Sequence, residues 1–414
     1  MSARTHSCYT HGLLVAAVAT ALAGRVNAAD VAYSASMASG LDCGSWTTGM
    51  IPTDVGSAGA VGYVKKCGSN AEEWAFRWSG VGPIELLPIP PDAYSTLAEA
   101  TDELGRVGLN VEYASDALDW VAYLLDGPTL TQLPMPRGSD ATYVIGLNGT
   151  RAVGYWANTI TGPYRRPALW DLARGDMLDI PITYGPFGTA VDVNASGHVC
   201  GWMGYAEQSD SHGFLYADGV LTDLGAITGG ISGQPSAINA SGTIVGSGRL
   251  IDPKTGASRR SGFIWSNGEM TVVHPYPEYP YCHLRDINDQ GDIIGVCWNG
   301  SSEVCFILRG GQATDLDELI PADPPLTIDY PSAIDNDGRI AGIAVDLERY
   351  TSVGVLLTPV PASADLDGDG AVGGADLAIM LGAWGACGVC RSDLDTDGIV
   401  DGQDLALLLG AWER

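Results

Sequence analysis

"DVNASGHVCGW" (residues 192–202), "AINASGTIVGS" (237–247), "DINDQGDIIGV" (286–296) and "AIDNDGRIAGI" (333–343) are four copies of one pattern. Each reads as an apolar strand end, a turn built on Asn or Asp followed by Gly, and a second apolar strand. Weaker copies place their turn glycines earlier, so the full set is Gly59, Gly105, Gly149, Gly197, Gly242, Gly291 and Gly338, spaced 46, 44, 48, 45, 49 and 47 residues apart. A drift this small over the whole set means one structural unit repeated, since glycines scattered through a Gly-rich chain would not keep the interval.

Each copy continues into a third strand and, after a further Gly turn, a fourth: "WAFRWSGVGPIELLP", "WVAYLLDGPTLTQLP", "PALWDLARGDMLDIP", "HGFLYADGVLTDLG", "GFIWSNGEMTVV" and "VCFILRGGQATDL". Short β-rich runs broken by Gly, Asn and Asp are hairpin chemistry. Four strands in about 46 residues is the size of a propeller blade. The last copy stops after its third strand, "VGVLLTPVP", and the missing fourth can come from "DVAYSASM" (residues 30–37), which precedes the first complete unit. That closure would join the ends of a ring and leave no exposed edge. The predicted fold is therefore all-β, a seven-bladed β-propeller over residues 29–361; six or eight blades, or an open β-solenoid, are the rivals.

The third-strand signature "HGF" (His212 to Phe214), with "WAF" and "SGF" in sister copies, stands between a D/N-x-x-G-x-V-x-G turn and a "DLG" ending. It resembles the HAF repeats of extracellular bacterial proteins over roughly Gly40 to Pro361, most strongly in copies four to six. The resemblance implies export and architecture, and no chemistry.

At the C-terminus, "DLDGDGAVGGAD" (365–376) and "DLDTDGIVDGQD" (393–404) have the form of calcium loops. Oxygen ligands fall at positions 1, 3 and 5 (Asp365, Asp367, Asp369; Asp393, Asp395, Asp397), and Gly stands at 6. Backbone carbonyls serve at 7 (Ala371; Ile399), and a carboxylate at 12 opens an apolar helix (Asp376; Asp404). Carboxylates crowded this closely repel one another until a cation sits among them, so two calcium ions are expected. Two loop–helix units in tandem, each closing on Asp, resemble type I dockerin modules, which dock secreted proteins onto cohesin domains. Loop positions 10 and 11 depart from that family (Gly374 and Ala375; Gly402 and Gln403), and no basic residue follows on either helix. The repeated "LGAW" ending and the Cys387/Cys390 insert are closer to the GC-type dockerin subgroup, for which a cohesin partner should not be assumed. Trp384 and Trp412 either form a docking face or, the reading preferred here, pack the helix pair together.

Residues 1–28 carry Arg4, an eleven-residue apolar run from Leu13 to Ala23 and small residues before Ala28, the form of a cleaved secretory signal too short to span a bilayer. Its removal takes the net charge from −28 to −30, which repels nucleic acid and anionic lipid and argues against both as partners. The chain beyond it keeps eight cysteines, an even number that export permits to pair. Cys297 and Cys305 flank the turn "WNGSSEV", Cys43 and Cys67 flank another strand pair, and Cys387 and Cys390 are near neighbours, which leaves Cys200 and Cys282; connectivity itself stays open.

Catalytic motifs are sparse. Four histidines beyond the signal (His198, His212, His274, His283) fall in different copies, and no H-E-x-x-H, G-x-S-x-G or phosphate-loop pattern occurs. His212 shares its repeat position with Trp74 and Ser261, which reads as a packed strand residue. Asn194, Asn239, Asn288 and Asp335 share a turn position and read as turn caps. "YWANTITGPYRRP" (155–167) and "VHPYPEYPYCH" (273–283) read as aromatic inserts above the ring. No catalytic residue is assigned. The expected function is an exported binding or attachment protein. Its propeller would present a polysaccharide or peptide site, and its tail (362–414) would engage a cohesin-like or cell-surface partner, with no membrane insertion. The alternative is a secreted carbohydrate-active enzyme, a glycosidase or lyase, localised by the same tail.

Overall fold

In the computed structural model the described residues are 33–38, 50–65, 72–113, 120–158, 164–206, 210–252, 254–359, 364–367, 372–387, 390–395 and 398–412. The signal segment, Cys43, Cys67, Asp369, Ala371 and Asp397 lie outside them. Seven four-stranded antiparallel sheets follow one another along the chain. The fourth is typical, with strands Phe187–Val193, Val199–Ala206, Asp210–Ala217 and Val220–Gly225 in sequence order.

The seventh sheet closes the ring as the sequence suggests. Its own strands are Leu326–Ile334, Ile340–Asp346 and Thr351–Pro359, and the fourth is Tyr33–Met37, paired from Tyr33↔Pro359 to Met37↔Val355. Tyr33 is 1 % exposed and sits in a core shared by Ile294 and Ile307 of the sixth blade and Ile328, Ile340 and Leu357 of the seventh. Its amide donates to the Leu319 carbonyl at 2.9 Å.

The repeated V-x-G and F have a joint cause. In the register of the second and third strands Gly62 faces Phe76, Gly201 faces Phe214, Gly246 faces Phe263 and Gly295 faces Phe306. A Cβ on Gly246 would stand 2.2 Å from the Gln234 carbonyl oxygen and 2.9 Å from Phe263 Cζ. Only glycine lets the first strand and the third-strand ring close over this position, and all four phenylalanines are fully buried.

The caps act as expected and do more. The Asn194 side-chain oxygen accepts from the Ser196 and His198 amides (3.1 and 3.0 Å), while its Nδ2 donates to the Asn239 carbonyl of the next blade at 3.0 Å. Asn239 reaches the Asn288 carbonyl at 3.1 Å and Asn288 the Asp335 carbonyl at 3.2 Å. Asp335 has no amide to donate. There Arg339 takes over, bonded to the Asp335 carboxylate at 2.7 Å and to the Gly56 carbonyl of the first blade at 2.6 Å. A second set of inter-blade bonds lies beside this one: Asp54, Asp192 and Asp286 accept from the Thr101, Ile238 and Ile334 amides of the following blades, at 2.7, 2.8 and 2.8 Å.

Two expectations need correction. Cys297 is bonded to Cys282, and Cys200 and Cys305 are buried free thiols. The turn at Asn299–Ser302 sets Cys297 opposite Val304 and Cys305 opposite Val296. One residue of offset puts the two on opposite sheet faces, whereas Cys282 and Cys297 are direct cross-strand partners. The described parts of the aromatic stretches are strand and core rather than inserts above the ring. Tyr155–Asn158 and Tyr164–Pro167 pair with each other as strand ends, and Tyr276 and Tyr279 pack against the sixth-blade core.

The C-terminal unit comprises helix α1 (Gly374–Gly382) and helix α2 (Gly402–Gly410), with a two-residue ladder pairing Gly385 with Val400 and Ala386 with Ile399. Leu366, Met380, Val400 and Leu408 form its core, and the Cys387–Cys390 disulfide packs on it. Trp412 also packs there, but Trp384 is 49 % exposed, so the indoles do not both serve the helix contact.

Candidate functional site

Each acidic loop folds back on the first turn of its helix. In the first, Asp376 is 1 % exposed and its Oδ1 accepts from the Leu366 and Asp367 amides at 2.6 and 3.1 Å, while Oδ2 accepts from Gly373 at 2.6 Å. Those amide bonds, Gly373's first, hold its carboxyl below the usual carboxylate range. The second loop repeats the arrangement. Asp404 is fully buried, Oδ1 accepts from Leu394 and Asp395 at 2.6 and 3.2 Å, and Oδ2 accepts from Asp401 at 2.8 Å. A carboxylate oxygen has two lone pairs, and among the described residues Oδ2 of each of these aspartates takes a single amide.

Around these anchors, one oxygen each from Asp365, Asp367 and Asp376 lies within 4.8 Å of the others, and the same holds for Asp393, Asp395 and Asp404. Two acidic triads could thus hold a metal ion each, and the donor set fits: hard oxygens, no nitrogen or sulfur. Arg391 links the units by donating to the Leu366 carbonyl at 2.9 Å. Ile399, expected to offer its carbonyl, lies in the two-residue ladder.

The ring has a second region of interest, its shaft. In every blade the first strand carries a register break at the same place, and the residues skipped are Thr53, Glu99, Ile145, Val191, Ser236, Arg285 and Ser332. A bulge re-aims the side chain it carries, and the last four of these line one cavity of about 430 Å3. The opposite end narrows to about 140 Å3 and is walled by all seven blades, with Asp54, Asp192 and Asp286 among the lining. What surface these acids keep is shaft wall, and burial raises all three: Asp54 to about 7, Asp192 to about 6, and Asp286 well above its ordinary value.

Apart from His283, the wide-end residues did not stand out in the sequence, and neither did Glu99. Glu99 accepts from the Tyr143 hydroxyl at 2.6 Å, and burial raises it to about 7. Of the histidines, His212 stacks on Tyr184 with ring centroids 3.8 Å apart and meets Asp223 at 3.0 Å. His283 faces the wide cavity.

This geometry defines the class: a seven-bladed β-propeller with a small paired-helix unit after it. The chain is similar in fold to the β-propeller domain of the Trilobed protease from Pyrococcus furiosus (TM-score 0.51, 9 % identity), covering 75 % of this chain and 93 % of that one. That domain is described as having an open velcro topology, whereas here Tyr33–Met37 completes the seventh sheet. It is also similar to a puromycin hydrolase (TM-score 0.50, 14 % identity), with 75 % of this chain matched to 54 % of that protein, so the likeness spans about half of its length. At these identities the likeness is one of fold. No protein-family model matches the chain, and no curated protein matches it.

Proposed function

We propose that this chain is an exported, non-catalytic binding and attachment protein, its propeller presenting a ligand site and its C-terminal unit folding around two calcium ions to dock it. The observation that carries this reading is the duplicated triad on buried, amide-anchored aspartates. Oxygen-only donors suit calcium better than zinc or copper. The loop pattern and the "LGAW" helices support the dockerin-like reading, and the third-strand signature supports the HAF-repeat reading. Two disulfides support an oxidising compartment, and no helix among the described residues is long and apolar enough to cross a membrane.

Docking is supported by what the helices leave uncovered. Ile379, Leu381 and Trp384 of the first unit, and Leu407 and Leu409 of the second, are 41 to 53 % exposed. Ile379 and Leu381 correspond by position to Leu407 and Leu409, so the calcium-folded unit would expose the same apolar positions twice. The partner is a cell-surface or cohesin-like protein. A protein lacking residues 363–414 should be released into the medium, while the full chain stays cell-associated until chelator is added. Identical partition of both forms, with and without chelator, overturns the attachment role.

Glu99 favours a second reading, a secreted carbohydrate-active enzyme. Its carboxyl stands at the bulge position of the second blade, and burial raises it to about 7, the range in which a general acid works near neutrality. Release of reducing sugar from a polysaccharide by the intact chain, lost in Glu99→Gln, would establish it over the binding role.

A further inference from the structure

We infer that the wide end of the shaft binds a small hydroxylated carboxylate, an acidic sugar of the uronic type; the inference rests on the ligand-binding role proposed for the propeller. The cavity of about 430 Å3 is of ordinary small-ligand size. Two arginines line it, Arg260 from the third strand of the fifth blade and Arg285 from the first strand of the sixth. Arg285 occupies the bulge position, and its guanidinium carbon lies 3.7 Å from the ring centroid of Tyr330 in the seventh blade. Stacking on a packed ring holds a guanidinium in one plane, which is what bidentate recognition of a carboxylate requires. Arg260 is steadied by Ser247 Oγ at 3.5 Å.

His283 lines the same cavity, its Nε2 at 3.1 Å from Ser236 Oγ. Burial first, then the two arginines, holds His283 well below its ordinary range, so it contributes a neutral hydrogen-bonding group. The remaining wall combines hydroxyls with the largely buried face of Trp202, a lining suited to a sugar ring with one polar edge. Two fixed cations in the shaft of a chain of net charge −28 are a local inversion of the protein's field. At physiological ionic strength the screening length is about 8 Å. The distant surface carboxylates are therefore screened from the cavity, so its charge is set locally, by Arg260 and Arg285 against the shaft carboxylates Asp192 and Asp286, whose protonated form burial favours.

The test is calorimetric titration of the full chain, in calcium, with D-glucuronate and with D-glucose, which differ at the carboxylate. Saturable glucuronate binding is expected, weakened at least tenfold in both Arg285→Gln and Arg260→Gln with unchanged circular dichroism, and little or no binding of glucose. Arg285→Lys keeps the charge without the planar fork and should bind with intermediate affinity. Glucose binding as tightly as glucuronate, or undiminished glucuronate binding by both glutamine variants, overturns the ligand class and leaves a binding propeller standing. No binding of either sugar also overturns the inference. Calcium-dependent attachment is decided independently by chelator release.

Discussion

Truncating Tyr33 to Ala tests ring closure at a single side chain. Tyr33 lies 276 residues from Arg309, yet its hydroxyl stands 3.5 Å from that guanidinium, and its ring is 1 % exposed between the sixth and seventh blades. Removing a fully buried aromatic ring from a packed core costs about 3–5 kcal/mol. For a domain larger than 250 residues, about 2 °C of melting temperature per kcal/mol is a reasonable conversion, which gives a drop of roughly 6–10 °C by differential scanning calorimetry. Tyr33→Phe is the control. It removes a long hydroxyl contact while Arg309 keeps its 2.7 Å bond to Asp292, so its effect should be below about 1 kcal/mol. Val220→Ala, at an outer-strand residue 63 % exposed, should also be nearly silent. In an open solenoid the N-terminal strand would be a frayed end. A Tyr33→Ala protein melting within about 1 °C of the parent would therefore refute closure.

Raised carboxyls in the narrow shaft make stability depend on pH. Because their folded values lie above the ordinary 3.8, the folded state holds protons that the unfolded chain releases, so stability should fall as pH rises from about 4 through 7. The rise of Asp54 to about 7 bounds its share at about 4 kcal/mol. Urea titrations with chelator present should show a less stable ring at pH 8 than at pH 5, and Asp54→Asn should flatten that difference; equal stability at both pH values would remove the argument. Asn239→Ala deletes a turn cap and an inter-blade bond together and should cost about 1–3 kcal/mol in the same assay, more than Ser241→Ala beside it. Gly246→Ala forces a Cβ to 2.2 Å from a carbonyl oxygen and should cost at least 1–3 kcal/mol; a neutral result would mean the strand spacing is not set by this contact.

The repeat was legible because turn chemistry and strand alternation are local, and each copy states them again. Closure was legible by subtraction, from three strands at one end and a spare strand at the other. The bulges were not, because Thr53, Glu99, Ile145, Val191, Ser236, Arg285 and Ser332 share no chemistry and differ only in what the register does to them. The cysteine pairing failed on a single residue of register at Asn299–Ser302, which no composition signal marks. Arg260, His283 and Arg285 hold unrelated positions in their copies, and only the circular arrangement of blades brings them to one cavity. Asp54, Asp192 and Asp286 do share a repeat position, but Ala100, Gly146, Ala237 and Ala333 occupy it elsewhere and hide the pattern. The acidic loops were legible at once, since their ligands lie within twelve residues of each other.

Calcium binding to the intact chain tests the account most directly. Isothermal titration of the metal-free protein should show two calcium ions bound per chain, with a gain in helical circular dichroism. One site should be lost in Asp376→Ala and both in Asp376→Ala with Asp404→Ala. A chain that binds no calcium, or whose binding survives the double substitution, would contradict it.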